Sequence, residues 1–246
     1  MKGRFPQTLA IEPLWTFHHR LSLQVKFYQK QRYNILVTGN FLEERCTLEN
    51  YVDIVERCTF FDCKHPDLND FFQKDAKAYY ESLLGKTYCF TLDDDPKIII
   101  AAFTLANDSV KTTHLPNSRS KKVQKDIPRK KTMRSYPAVL IGRLGINADY
   151  KRKGIGEQVM DFIKAWFTES SNKTGCRFIV VDAYNEPIPL SYYEKCGFVY
   201  MFSTEEQEKE YLTLEPEDEL NTRLMFFDLI ALRNIEFVEA EKAKVA

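Results

Sequence analysis

The sequence predicts an α/β fold, in which strands form a sheet and helices cover it. The first observation is a change of hydrophobic period between residues 138 and 166, from an apolar strand-like run to a helical repeat. The second is a series of further short runs rich in β-branched and aromatic residues, separated by helical segments and turns. A hydrophobic content of 44% over 246 residues provides enough apolar surface for a sizeable core.

The central segment of the chain is a strand, a tight turn and a helix. Residues 138–146 are mostly apolar and predict the strand, and residues 147–150 form a short polar turn. The helix is indicated by apolar residues at helical spacing, namely Ile155, Val159, Phe162, Ile163 and Trp166. The residues that join the turn to this helix are basic and rich in glycine.

This basic turn has the composition of a phosphate site. Its residues are Lys151, Arg152, Lys153, Gly154, Ile155 and Gly156. The first amides of a helix have no partner within the helix, the helix dipole favours an anion there, and glycine lets an anion approach the backbone. A pyrophosphate is therefore the natural ligand, and the alternative is a basic surface turn. A dinucleotide fingerprint is excluded because Val159 stands where it needs glycine, and the chain contains no P-loop string.

Local patterns predict the other elements. Residues 47–80 are expected to be helical after a turn, with Asp67 as a helix cap and Gly85 as the residue that stops the helix. Strands are predicted at 87–92, 98–105, 177–183, 198–202 and 222–229, with a turn at 93–96 and a short helix at 190–195. The acidic stretch 205–219 is expected to be a solvated loop or helix.

The chain divides into three predicted regions. Residues 1–45 form an N-terminal extension or arm, residues 46–232 form the main domain, and residues 233–246 form a charged C-terminal tail. Apolar and polar residues alternate between positions 15 and 27, which fits a strand or hairpin arm better than a helix.

Composition narrows the classes of protein to which the chain can belong. Lys and Arg number 35 and so do Asp and Glu, so any site for a polyanion must be local. No apolar run approaches the roughly 20 residues of a membrane-spanning helix, and the N-terminus lacks the apolar core of a signal peptide. The six scattered cysteines suit reduced thiols, so we expect a cytoplasmic protein. Cys58, Cys63 and His65 lack a second ligand pair, so no metal site is expected.

One segment is strongly basic and directly precedes the central strand. Besides Arg119, it contains Lys121, Lys122, Lys125, Arg129, Lys130, Lys131 and Arg134, which are opposed only by Asp126. The segment can be a solvated loop or helix face, or it can contact the phosphate backbone of a nucleic acid. Its place directly before the strand that enters the predicted phosphate turn favours the second interpretation.

The order of elements and two motifs resemble the GNAT family of N-acetyltransferases over about residues 47–231. The first motif is the turn 151–156, which is similar to the family's acetyl-CoA turn Q/R-x-x-G-x-G/A, with Lys151 in place of Gln or Arg. The second is Asn185 followed by Tyr193-Glu194-Lys195-Cys196-Gly197-Phe198. The resemblance implies a GNAT acyl-CoA N-acyltransferase fold, with a mixed, mostly antiparallel, twisted sheet that has helices on both faces.

The resemblance also implies a cofactor and roles for particular residues. Acetyl-CoA would be the acetyl donor. Amides between Arg152 and Glu157 would hold its pyrophosphate, with Lys151 beside them. The backbone of Leu144, Gly145 and Ile146 would pair with the pantetheine arm and polarise the thioester carbonyl, Gly145 leaving room beside it, and Asn185 would orient the cofactor or its loop.

The reaction implied is direct attack of a neutral amine on the thioester. Tyr193 stands where the family has its general acid, and a phenol can protonate the departing thiolate. Tyr192 is the expected core neighbour. No general base is evident. Glu194 and Asp182 are candidates only because they are near in sequence, and water is the alternative.

The sequence leaves the acceptor open. Residues 140–144, the segments 61–63 and 67–69, and residues 223–229 resemble a GNAT subgroup that includes toxins acetylating the amino group of aminoacyl-tRNA. The protein is therefore expected to acetylate a primary amine, and the narrower alternative is aminoacyl-tRNA. A non-catalytic acyl-CoA-binding module is an alternative of another class. A homodimer formed through the C-terminal strands is a further expectation.

Overall fold

The computed structural model describes residues 40–113, 115–128 and 134–233. Its helices are α1 (Phe41–Arg45), α2 (Tyr51–Ile54), α3 (Pro66–Asp70), α4 (Ala76–Glu81), α5 (Asn117–Val123), α6 (Ile155–Thr168), α7 (Pro187–Lys195) and α8 (Glu205–Leu212). Its strands are β1 (Cys46–Asn50), β2 (Lys86–Leu92), β3 (Ile99–Lys111), β4 (Ser135–Ile146), β5 (Phe178–Tyr184), β6 (Val199–Tyr200) and β7 (Thr222–Asp228).

The strands form one sheet in the order β1-β2-β3-β4-β5-β7-β6. Neighbouring strands are antiparallel except for β4 and β5, which are parallel and are joined by the crossover helix α6. A parallel pair needs such a crossover, and the predicted strand, turn and helix supply it. The predicted α/β fold with a mixed, mostly antiparallel sheet is confirmed.

Strands β4 and β5 pair over only part of their length. Their last paired residues are Ile141 and Val181, and β4 continues to Ile146 without a β5 partner. On its other side β4 pairs with β3, where Thr104 faces Arg143 and Leu105 faces Ile141. Gly142 is therefore the extra residue of a β-bulge, and a bulge bends its strand. The result is a V-shaped gap between the carboxyl ends of β4 and β5.

Helices cover both faces of the sheet. Adjacent strand residues point to opposite faces, as Ala102 and Phe103 do when they pack into different apolar clusters. Phe103 lies under α6, whose Val159, Met160 and Ile163 are fully buried, and we call this side the α6 face. Ala102 lies under α2 and the α3–α4 segment, which together with α5 cover the opposite face.

The segment 47–80 differs from the predicted helix. It begins with β1, continues through α2 and a 3₁₀ turn, and becomes helical again only at Pro66. The N-cap is His65 rather than Asp67, because the His65 ring accepts the Leu68 amide and Pro66 occupies the first helical position. The α3–α4 segment also ends at Glu81, before Gly85, and contains a π-helical turn at Phe71–Asp75.

Two further elements differ from prediction near the C-terminus. Helix α7 begins at Pro187 rather than at 190, since proline is favoured in a first turn. The acidic stretch contains α8, and its Glu208 is not solvated but buried against Arg223, whose Nε donates to it at 2.7 Å.

The described end of the predicted extension packs against α6. Leu42 of α1 is buried, and its amide donates to Gln158 Oε1 at 3.1 Å. The alternating stretch 15–27 lies outside the described residues, and the boundaries at 45/46 and 232/233 remain predictions.

Candidate active site

The predicted phosphate turn lies at the open end of β4. A 3₁₀ turn, Ala148–Tyr150, is followed by Arg152 and Gly154 with positive φ angles of 60° and 73°, and α6 begins at Ile155. Gly154 is the N-cap and has no side chain with which to accept the first amides of the helix. The amides of Ile155, Gly156 and Glu157 are therefore available to a ligand.

The three cations of the turn directly precede these amides in the chain. The Lys153 ammonium donates to the Asp149 carbonyl oxygen at 2.8 Å and lies 4.9 Å from the centre of the Tyr150 ring. Lys151 and Arg152 are exposed, and neither makes an ion pair within the described part of the chain. Free amides and free cations at one helix end form a site that attracts an anion.

The wall of the V-shaped gap on the β4 side consists of Leu144, Gly145 and Ile146. They have no β5 partner, so backbone groups on that edge are open to a ligand. Gly145 faces the opposite face of the sheet, where an added Cβ would lie 3.2 Å from atoms of Phe61, Cys63 and Phe72. The close packing of Phe61, Cys63 and Phe72 onto the strand therefore requires a glycine here, and room for a thioester beside Gly145 stays a prediction.

Helix α7 is fastened to the first turn of α6 by Tyr192. Its hydroxyl donates to the Gly156 carbonyl oxygen at 2.7 Å, and burial raises its pKa well above the ordinary value of a phenol. An added Cβ at Gly156 would lie 3.0 Å from Tyr192 Cε2. Tyr192 therefore shapes the phosphate turn, which is more than the core role that the sequence predicts for it.

Tyr193 lies beside Tyr192 on the α6 face. Its ring packs against the rings of Tyr192 and Phe198 at centroid distances of 5.0 and 5.4 Å. Its hydroxyl makes no hydrogen bond to another described residue. Burial raises the pKa of Tyr193 above its ordinary value, so the phenol keeps its proton at neutral pH. A protonated, uncommitted hydroxyl at the gap is what a proton donor requires.

A second tyrosine, which the sequence did not single out, lies on the opposite face at the end of β5. The Tyr184 hydroxyl donates to Asp67 Oδ2 at 2.5 Å, and the His65 ring lies 4.7 Å from the Tyr184 ring. Burial and the hydrogen bond to Asp67 raise the pKa of Tyr184 to about 12. Asp67 had been interpreted as a helix cap, and nothing local in the sequence connects it with Tyr184, 117 residues away.

Arg143 extends onto the same opposite face from β4. Its guanidinium lies 5.0 Å from the centre of the Phe71 ring, and its Nη1 donates to the Gly142 carbonyl oxygen at 2.8 Å. Its Nε is buried and has no hydrogen-bond partner in the described structure. A guanidinium with an unused buried donor next to the gap is a candidate contact for an anionic group of a substrate.

The other residues for which the sequence suggested a role, Asn185, Asp182 and Glu194, do not lie together in the structure. The Asn185 side-chain nitrogen donates to Glu205 Oε1 at 3.1 Å and to the Leu220 carbonyl oxygen at 2.9 Å, so of its two predicted roles the structure supports the orientation of a loop. Asp182 lines a cavity of about 210 Å³, where desolvation and the Asp108 carboxylate raise its pKa. Glu194 is exposed on α7 and interacts with Tyr200.

The basic segment is described in part. Lys121, Lys122, Lys125 and Arg134 are exposed and make no ion pair with a described residue, whereas Arg129, Lys130 and Lys131 lie outside the described residues. Desolvation and the neighbouring Arg119 lower the pKa of Lys122. The Arg119 Nε donates to Ser203 Oγ at 2.8 Å and so attaches α5 to the domain.

The described residues contain neither a membrane-spanning helix nor a cluster of metal ligands. No helix among them is long and apolar enough to cross a membrane. In the same part of the chain, no group of three or more His, Cys, Asp or Glu side chains is arranged to hold a metal, and this includes Cys58, Cys63 and His65.

Comparison with known proteins gives one family match and several structural neighbours. Residues 123–200 match the model of the acetyltransferase (GNAT) domain. A tyrosine-to-phenylalanine mutant of KacT superposes with a TM-score of 0.57 at 20% identity, covering 78% of this chain and 99% of that one. AtaT complexed with acetyl-methionyl-tRNAfMet gives 0.53 at 20% identity, with 77% and 98% covered. AtaTR bound with AcCoA gives 0.52 at 20% identity, with 78% and 98% covered.

Proposed function

We propose that this chain, which carries a GNAT acetyltransferase domain, moves the acetyl group of acetyl-CoA to a primary amine through the phosphate turn, the V-shaped gap and Tyr193. The identification as a GNAT acetyltransferase, predicted from the two motifs, is confirmed by the domain match and the fold. The observation that supports the proposed site is that the phosphate turn follows the end of β4 that has no β5 partner, and that Tyr192, the neighbour of Tyr193, bonds to the first turn of α6.

The phosphate turn would hold the pyrophosphate of acetyl-CoA. The amides of residues 155–157 and the cations Lys151, Arg152 and Lys153 supply donors and positive charge at one place. The pantetheine arm would then lie in the gap along Leu144, Gly145 and Ile146, where β4 has no β5 partner. AtaTR, the structural neighbour bound with AcCoA, supports this choice of donor.

Tyr193 would act as the general acid. The neutral amine attacks the thioester carbon, the carbon–nitrogen bond forms, and the carbon–sulphur bond breaks with its electron pair on sulphur. The hydroxyl proton of Tyr193 then passes to this thiolate, and the Tyr193 phenolate regains a proton from water. The proton released by the amine leaves through another group or water. A free thiol has a pKa of about 8.5, so a donor that is already protonated at neutral pH assists the departure of the thiolate.

A narrower acceptor, the amino group of aminoacyl-tRNA, is favoured by one surface. Lys121, Lys122, Lys125 and Arg134 are exposed and free of described carboxylate partners, which suits contact with a phosphate backbone. Arg143 offers a further cation inside the site, with its buried Nε unpaired. The neighbour AtaT, complexed with acetyl-methionyl-tRNAfMet, makes this class of acceptor the first to test.

The test is transfer of labelled acetyl from acetyl-CoA to charged tRNA, with uncharged tRNA and a panel of free amines in parallel. Label on charged tRNA alone would support the narrower proposal. Label on free amines but not on charged tRNA would leave a small-amine acetyltransferase. Tight binding of acetyl-CoA without transfer to any acceptor would contradict the proposal that the chain is an acetyltransferase. It would favour a non-catalytic acyl-CoA-binding module.

A further inference from the structure

The two tyrosines at the gap lie on opposite faces of the sheet. Tyr193 packs with the cluster on the α6 face, which also contains Ala183 of β5. Tyr184 follows Ala183 in the same strand, so its side chain points to the other face. A thioester in the gap would therefore have a phenol on each side, with Tyr193 beside the sulphur and Tyr184 on the side that Arg143 also faces.

Tyr184 is held in a fixed position by residues of the α3 region. Its hydroxyl donates its proton to Asp67, so the phenol oxygen keeps its lone pairs as acceptors for another donor. The His65 ring lies against it at 4.7 Å, and His65 is itself fixed because its Nδ1 accepts the Leu68 amide at 3.4 Å. Asp67 is exposed, so a proton that reaches its carboxylate can leave to solvent.

We propose that Tyr184, held by Asp67, takes the proton that the acceptor amine loses on attack. This inference rests on the proposed acetyl transfer. As the nitrogen bonds to the thioester carbon, its proton moves to the Tyr184 oxygen, while the hydroxyl proton of Tyr184 moves to Asp67 Oδ2. Tyr184 is neutral before and after the step, and Asp67 becomes a carboxylic acid that releases its proton to water. No oxidant or other reactant is needed.

The structure favours this pair over the two carboxylates nearest in sequence to Tyr193. Glu194 is exposed and interacts with Tyr200 rather than with the gap. Asp182 lies on the same face as Tyr184, but it lines a cavity formed with Asp108 and α8 and makes no hydrogen bond to Tyr184. Tyr184, by contrast, is the last residue of β5 at the gap and bonds directly to an exposed carboxylate, Asp67.

The titratable and charged groups that interact with Tyr184 come from four elements, and Tyr193 does so from the opposite face of the sheet. They are Asp67 of α3, His65 and Cys63 of the preceding loop, Arg143 of β4 and Tyr193 of α7. Arg143 is the one cation among these neighbours that lowers the pKa of Tyr184, and burial and Asp67 outweigh it. Tyr184 is therefore protonated throughout the neutral range and can act only by passing a proton on.

The test compares Tyr184→Phe and Asp67→Asn with the wild type, using aminoacylated bulk tRNA as acceptor between pH 6 and 10. We expect kcat to fall roughly 100-fold in each variant at pH 7, as for the loss of a general base. The rate of each variant should rise with hydroxide concentration where the wild type levels off. Asp67→Glu should recover much of the rate, and acetyl-CoA affinity should not change. Tyr79→Phe, an exposed phenol on α4, is the matched control.

The possible outcomes distinguish failure of the proton transfer through Tyr184 to Asp67, called the relay below, from failure of the proposed acetyl transfer. An active wild type with Tyr184→Phe within twofold of it at every pH would overturn the relay alone. Full loss of rate in Asp182→Asn with an unaffected Tyr184→Phe would also overturn it and move the base to Asp182. A wild type that acetylates neither the tRNA nor a free amine would overturn the proposed function and the relay with it.

Discussion

The hydroxyl of Tyr192 donates to the Gly156 carbonyl oxygen at 2.7 Å and thereby joins α7 to the first turn of α6. The same ring leaves no room for a side chain at Gly156, where a Cβ would lie 3.0 Å from Cε2. This contact and the hydrogen bond from Lys164 Nζ to the Cys196 carbonyl oxygen connect the two helices that would carry the general acid and the pyrophosphate. A substitution of either Tyr192 or Gly156 should therefore affect the binding of acetyl-CoA.

Gly156→Ala should weaken acetyl-CoA binding about 10-fold and destabilise the fold by about 1–3 kcal/mol, the usual cost of overpacking. The ring of Tyr192 must move, and the amides of the turn move with it. Calorimetric titration with acetyl-CoA and thermal unfolding measure the two effects. Gly175→Ala is the matched control because an added Cβ there meets nothing within 4 Å. Equal affinity in both variants would mean that the contact does not shape the site.

Tyr193→Phe should lower kcat by about 100- to 10,000-fold and leave the Kd of acetyl-CoA within twofold. The substitution removes the uncommitted hydroxyl but keeps the ring that packs on Phe198. Steady-state kinetics with the best acceptor of the panel and a separate cofactor titration measure the two quantities. A parallel rise in Kd would indicate that the tyrosine binds the cofactor rather than donating a proton.

Replacing Lys121, Lys122 and Lys125 by alanine should weaken the interaction with charged tRNA and leave acetyl-CoA binding intact. The slope of log K against log salt should fall by about 2–3, because three phosphate contacts are lost. Lys77, Lys86 and Lys173 are exposed elsewhere on the domain, and their replacement by alanine is the control. An unchanged salt dependence in the first variant would mean that these lysines do not contact the tRNA and that the basic segment is a solvated surface.

The free energy of unfolding should decrease above about pH 10. Burial raises the pKa values of Tyr51, Tyr192 and Tyr193 above the ordinary phenol value. The contribution of these tyrosines to the free energy of unfolding is therefore complete below the unfolded-state pKa of about 10. It is lost as the pH rises towards the folded-state pKa, by up to about 1.4 kcal/mol per pH unit for each tyrosine. Urea unfolding at pH 8 and pH 10.5 measures the loss. It should be smaller in Tyr51→Phe and unchanged in Tyr79→Phe.

The elements that the sequence predicted correctly are those whose hydrophobic pattern extends over many consecutive residues. The helix α6 shows its apolar face at helical spacing, and β5 is almost continuously apolar, so both could be placed without tertiary information. Strand β1 was missed because the alternation of Cys46 and Leu48 with Thr47 and Glu49 covers only four residues, too few to distinguish a strand from the start of a helix. Its pairing with β2 depends on neighbours that no local pattern shows.

The site could be predicted only where a motif carried it. The turn 151–156 and Tyr193 belong to recognisable strings, and their roles remain predictions that the experiments above address. Tyr184 and Asp67 are brought together by the packing of the α3 region against the end of β5, over 117 residues of sequence. The unpaired Nε of Arg143 is likewise a property of the folded chain. Such tertiary contacts leave no local signal.

The most direct test of the account is to find where the acetyl group goes. Charged tRNA is incubated with the protein and acetyl-CoA and digested to nucleosides, and the aminoacyl-adenosine is examined by mass spectrometry. The account predicts a product heavier by one acetyl group on the amino nitrogen, absent with Tyr193→Phe. Unmodified aminoacyl-adenosine from an active preparation that acetylates free amines would contradict the assignment of aminoacyl-tRNA as the acceptor.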